Sequence, residues 1–239
     1  MPFTFSHPAI VLPLRYLPKK WISLTGLIIG SLTPDFEYFI RMRIKSDYSH
    51  TLSGLFWFDL PLGLLLTFLF HLIVRNALIE NSPIILKGRF SVFKDFGWIG
   101  HYKENWIIVC LSVLIGAFSH IFWDSFTHDN GYFVKRIPTL LTKVKFLGLS
   151  VSIHKIIQHS STLIGAIVIL FSILKLPKQS VSGKINFKYW LLIVAVSLLV
   201  VLIRILYGPP FQQYGNVLVT GMSALMISLI LTPILMKIK

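Results

Sequence analysis

The segment His120-Ile-Phe-Trp-Asp124-Ser-Phe-Thr-His128 sets an imidazole, a carboxylate and a second imidazole at i, i+4 and i+8. On an α-helix those positions lie along one face, so the three side chains share a direction. Imidazole nitrogen and carboxylate oxygen suit a borderline divalent cation such as zinc, which takes these ligands at about 2 Å. A structural role fits the same residues: Asp124 accepting a hydrogen bond from a neighbouring helix, with the histidines packed and satisfied. The surroundings are apolar, and ionisable groups in such a run are costly enough to point to a site.

Other polar residues recur along the chain. Thr33-Pro34-Asp35-Phe36-Glu37-Tyr38 puts a proline where a helical run should break, fixing Asp35 at a helix end, where it serves as a ligand or as an N-cap. Ser49-His50-Thr51 follows, and Asp59 opens the next apolar stretch. Gln158-His159-Ser160-Ser161-Thr162 begins another, where hydroxyls can cap the helix or bond back to the i−4 carbonyl. His159 is the site candidate there. His154 lies one residue off its i+4 match and stays open. His71 and His101 are expected to serve packing or a loop, and Arg204 and Lys155 to snorkel to an interface.

The elements that position these residues are membrane-spanning helices. Hydrophobic residues make up 54% of the 239, and only 13% are charged, more apolar surface than a soluble domain of this length needs. The apolar stretches are long and continuous rather than alternating, which selects helices over a barrel. The expected fold is all-α: a polytopic transmembrane helical bundle with about six spans, at 21–39, 54–74, 106–127, 152–174, 188–207 and 215–236. Residues 8–17 are apolar but too short to cross, and are expected to form a short N-terminal hairpin helix beside the first span. The stretch 175–187 looks like a linker, dividing a motif-bearing core, 1–174, from two C-terminal transmembrane helices, 175–239.

Several classes drop out. A single cysteine, Cys110, removes disulfide frameworks and cysteine metal sites. The net charge of +14 fits lysine and arginine crowding cytoplasmic loops against anionic lipid, so no nucleic-acid partner is expected. Prolines at 2, 8, 13 and 18 interrupt the first stretch, so no cleavable leader is expected. The loops near 15–20, 75–103 and 175–188 carry more Lys and Arg than those near 41–45 and 135–145, so the former side is expected to be cytoplasmic. Asp35, His50, Asp59, His120, Asp124, His128 and His159 then collect toward the outer face, and a hairpin at 8–17 brings His7 level with Asp35.

At these residues the chain resembles a bacterial integral-membrane family of unknown function. It shares that family's FSHPA segment at Phe5–Ala9, PDFEYF at Pro34–Phe39 and SHT at Ser49–Thr51, as well as HxxWDxxTH at His120–His128 and QHSST at Gln158–Thr162. More distantly it is similar to inner-membrane metal-dependent hydrolases and to zinc-dependent phospholipase C. That likeness implies a metal set of His7, Asp35, His50, His120 and Asp124. Zinc phospholipases add an HxxxE; here His154 is followed at i+4 by Gln158, so the likeness implies one or two ions rather than three.

The expectation is a membrane-embedded hydrolase using Zn2+ or another divalent metal. It would act on an ester or phosphodiester, with membrane lipid as partner and substrate class, from the extracytoplasmic face of the inner membrane. His128, His159 or Asp59 would orient a ligand or take the proton. The competing class is a transporter or scaffold whose His/Asp cluster binds an ion or proton.

Overall fold

The computed structural model describes residues 3–146, 148–183, 185–211 and 213–237. The fold is an all-α bundle. Among the described residues, five helices are long and apolar enough to cross a membrane: Leu55–Asn81, Trp98–Asp124, Ile153–Leu174, Phe187–Tyr207 and Tyr214–Lys237. At 1.5 Å per residue the shortest of them reaches about 30 Å, the thickness of a hydrocarbon core.

The first expected span, 21–39, is divided instead. Ser23 caps a nine-residue helix, Leu24–Leu32, by accepting from the Gly26 N–H at 3.3 Å. A 3-10 turn, Thr33–Asp35, then leads into the short helix Phe36–Arg41. Pro34 has no N–H to give the ladder, and Thr33 Oγ1 takes the Ile29 carbonyl at 2.8 Å, so the α-helix stops there. The second long helix starts at Trp98, before the third expected span at 106, and bends at Asn105 (φ −128°, ψ 26°). A two-stranded antiparallel hairpin, Lys143–Phe146 with Leu149–Ser152, stands in a stretch expected to be loop.

The chain forms two compact units. The first comprises residues 1–34, 48–64 and 105–174, and the second 35–47, 65–104 and 175–239. One edge of the division falls between Leu174 and Lys175.

In the first unit the Leu24–Leu32 helix crosses the 105–124 part of its long neighbour at very short range. The crossing uses small residues on both sides, Gly26 and Gly30 against Ser112 and Gly116. A Cβ at Gly30 would stand 2.2 Å from the Val113 carbonyl oxygen, and one at Gly116 would stand 2.4 Å from that of Leu27. Small residues at a four-residue interval let backbones touch where lipid provides no hydrophobic drive between helices. The Ser23 N–H donates to Ser112 Oγ at 2.8 Å at the same crossing. The N-terminal segment is helical as expected, through Pro8–Val11 and the 3-10 turn Leu12–Tyr16. It lies on Ile153–Leu174: the Phe3 N–H donates to Thr162 Oγ1 at 3.0 Å, and Ser6 packs on Gly165.

In the second unit Phe187–Tyr207 and Tyr214–Lys237 form a helical hairpin, with Ser197 Oγ donating to Ser228 Oγ at 3.0 Å. Tyr214–Lys237 also holds the 35–47 segment, through Ser223 to the Phe39 carbonyl, Thr220 to the Met42 carbonyl and Asn216 Oδ1 from the Ile44 N–H. His71 stacks on Trp98 with ring centroids 4.4 Å apart, the packing role expected of it.

The crossing generates a test. Gly30→Ala should destabilise the protein by about 1–3 kcal/mol, as overpacking against a backbone does. Gly100→Ala, which meets open space, should leave the thermal midpoint in detergent unchanged or slightly raised. Equal midpoints for the two variants would contradict the close contact.

Candidate metal centre

Asp124 is the last residue of Trp98–Asp124 and is 5% exposed. Four imidazoles from the first unit surround its carboxylate. His120 Nε2 and His50 Nε2 lie 3.3 and 3.7 Å from Oδ2, while His128 Nδ1 and His7 Nε2 lie 3.5 and 3.6 Å from Oδ1. Direct charge-assisted hydrogen bonds run at about 2.7–2.9 Å. Two ligands each about 2.0–2.1 Å from one tetrahedral ion stand about 3.3 Å apart. The observed spacing is nearer the second arrangement. Ligand atoms of His50, His120 and Asp124 all lie within 4.8 Å of one another, so this group could hold a metal ion.

The local structure aims these rings. His120 follows Gly116 by one helical turn, so the close crossing brings its Nδ1 to 2.8 Å from the Ser31 carbonyl oxygen. A carbonyl only accepts, so Nδ1 carries a proton, and in the neutral ring Nε2 is the ligating nitrogen, facing Asp124. His120 is wholly buried, and His7 stacks on it at 3.7 Å between ring centroids. His50 sets Nδ1 against the Ser49 hydroxyl at 3.0 Å, which leaves Nε2 toward Asp124. The backbone turns once more after the helix: the His128 N–H donates to the Asp124 carbonyl at 3.1 Å, which keeps the i+8 imidazole beside the carboxylate. His128 Nδ1 also lies 3.1 Å from that carbonyl, and its Nε2 is buried without a hydrogen-bond partner among the described residues.

Asp59 is fully buried, in the π-helical turn Leu55–Asp59. Asp35 is fully buried at the end of the turn Thr33–Asp35 and begins the second unit. His159 is exposed on Ile153–Leu174. His154, left open from sequence, faces the Leu140 carbonyl with Nδ1 at 2.9 Å and Asp129 Oδ1 with Nε2 at 3.0 Å. Lys155 also pairs with Asp129, at 2.9 Å. The contacts made by Ser31, Ser49 and Asp129 were not anticipated. The Gly26-x-x-x-Gly30 and Ser112-x-x-x-Gly116 spacings were the legible signal for the first of these. An open groove of about 420 Å³ adjoins His7, lined mainly by Ala9, Ile10, Trp123, Ile156, Ile164 and Val168.

The family model described as "Domain of unknown function (DUF4184)" matches residues 1–234. The chain belongs to this family. No curated protein and no solved structure matches it. For this DUF4184 chain the site must therefore speak through its own geometry.

Burial holds the His128 imidazole below its ordinary value, with Asp124 pulling the opposite way. A folded-state value below the unfolded one means that the unfolded chain binds more protons. Stability from this group is therefore full above about pH 6.5 and falls as the pH drops below it. In metal-stripped protein, His128→Gln should flatten the fall in thermal midpoint from about pH 6.5 to 5. An unchanged slope would show that His128 is not held neutral.

Proposed function

We propose that this protein is a membrane-embedded, metal-dependent hydrolase acting on an ester or phosphodiester of a lipid. The observation that carries the reading is the set of imidazole nitrogens, His120, His128, His7 and His50, at 3.3–3.7 Å from the buried Asp124 carboxylate. His50, His120 and Asp124 would hold the ion, with His7 next to them. Nitrogen and oxygen donors without sulfur favour zinc or a similar borderline cation. Such an ion supplies Lewis-acid polarisation of a carbonyl or phosphoryl oxygen and acidification of water. Ser31 fixes the His120 tautomer that ligation needs.

Among the residues assigned proton work, His128 has the best support, because its buried Nε2 is open to exchange a proton while Nδ1 is engaged. Asp59 and His159 are proposed only as orienting groups. The apolar groove beside His7 supports a lipid substrate, whose chain would lie along Ile153–Leu174 with its ester near the cluster. The charge distribution supports a bacterial inner membrane with the cluster toward the outer face. The depth of burial of His120 and Asp124 favours a second reading, in which the cluster handles an ion or proton without hydrolysis.

Purified full-length protein should carry a divalent metal and hydrolyse a fluorogenic lipid ester or phosphodiester. Asp124→Asn, which keeps size and removes charge, should lose the metal and at least about a hundredfold in activity, within the range for removing a metal-site residue. Asp129→Asn should keep both. Metal without turnover would favour the ion-handling reading, and a wild type without metal would sink the metallohydrolase.

A further inference from the structure

Arg204 closes the last turn of Phe187–Tyr207 but does not snorkel: it is only 8% exposed. Its Nη1 donates to the Pro209 carbonyl at 2.6 Å and its guanidinium lies 4.9 Å from the Phe211 ring centre. Its Nε is buried without a hydrogen-bond partner among the described residues. Gly208 is what lets the side chain fold back, since a Cβ there would meet Arg204 Nη1 at 2.2 Å. Capping the helix C-terminus explains one of these contacts. It does not explain the company Arg204 keeps.

Arg204 lines a small polar pocket of about 140 Å³ within the second unit, together with Arg43, Lys45, Gln213 and Asn216. No described residue lining it is acidic. The nearby Asp47 is shared by Arg41 and Lys45, at 3.0 and 2.9 Å, and Glu37 is taken by Arg41. The charges of Arg43 and Arg204 are thus left facing the same space. Asn216 Oδ1 accepts from the Ile44 N–H at 2.8 Å, so its amide NH2 remains as a donor. The pocket is rich in donors and positive charge, and one guanidinium is held there at the cost of burial.

We propose that this pocket binds a phosphate-class oxyanion, supplied by a lipid headgroup or as free phosphate. A guanidinium fork matches phosphate oxygens in pairs, which a lysine does not reproduce. The end of a helix long enough to span a bilayer is also where headgroup phosphates lie. The proposal does not rest on the metal reading.

The test uses full-length protein in a neutral detergent at fixed ionic strength. It is titrated with inorganic phosphate and, separately, with phosphatidylglycerol in mixed micelles, with phosphatidylcholine as control. Thermal midpoint and Kd are read for each. Wild type should be stabilised by at least one probe and not by phosphatidylcholine. Arg43→Gln and Arg204→Lys should each weaken binding about tenfold, the loss of one charge-assisted contact. A response to phosphatidylglycerol alone assigns a headgroup site, and a response to inorganic phosphate assigns a free-phosphate site. No response of wild type to either probe, or variants that bind as wild type does, would overturn the proposal. If Arg204→Lys does not fold, Arg43→Gln, on a half-buried loop residue, decides alone.

Discussion

A carboxylate buried at the end of a long apolar helix has to be compensated, and that need organises the first unit. Removing a charge from water costs several kcal/mol unless it is paired or coordinated. Asp124 meets four imidazoles drawn from separate parts of the chain: the N-terminal turn, the loop after residue 47, its own helix, and the turn that follows. Each arrives by a different device. The N-terminal segment docks on Ile153–Leu174 through Thr162 and Gly165, and so carries His7 to the site. Extra hydrogen bonds hold His50 and His120 by the nitrogen that faces away from Asp124.

The glycine-lined crossing is the rigid part of that arrangement. Backbones that touch at Gly30 and Gly116 bring the Ser31 carbonyl within reach of an imidazole one turn further along. A larger residue at either glycine would push the helices apart by more than a hydrogen bond can stretch. Packing, tautomer and the direction of Nε2 are thus one constraint seen at three scales. The break at Thr33-Pro34-Asp35, set by Pro34, ends the short helix just beyond the crossing.

Much of this was legible in the sequence, for physical reasons that also set its limits. The long helices announce themselves because hydrocarbon admits few alternatives to continuous apolar runs. The His120, Asp124 and His128 face follows from helical periodicity, and it survives the end of the helix because one more turn continues past Asp124. Ser31 acts through its backbone carbonyl, and a carbonyl has no residue-type signature. The pairing of His154 with Asp129 is tertiary, joining residues 25 apart. Arg204 looked like a snorkelling side chain because its burial depends on contacts with Pro209 and Phe211, helped by a glycine whose purpose is visible only beside the guanidinium.

Both units hold buried charge near the end of a long apolar helix, with opposite sign: a carboxylate ringed by imidazoles in one, a guanidinium among donors in the other. The first is the more decisive for function, and its central claim concerns what stands between the rings and Asp124. X-ray absorption at the K-edge of the metal that copurifies with full-length protein reports this directly. The expected spectrum shows nitrogen and oxygen ligands at about 2.0–2.1 Å, no sulfur, and scattering from at least two imidazoles. A sample without metal, or a metal shell without imidazole, would contradict the assignment of His50, His120 and Asp124 as its ligands.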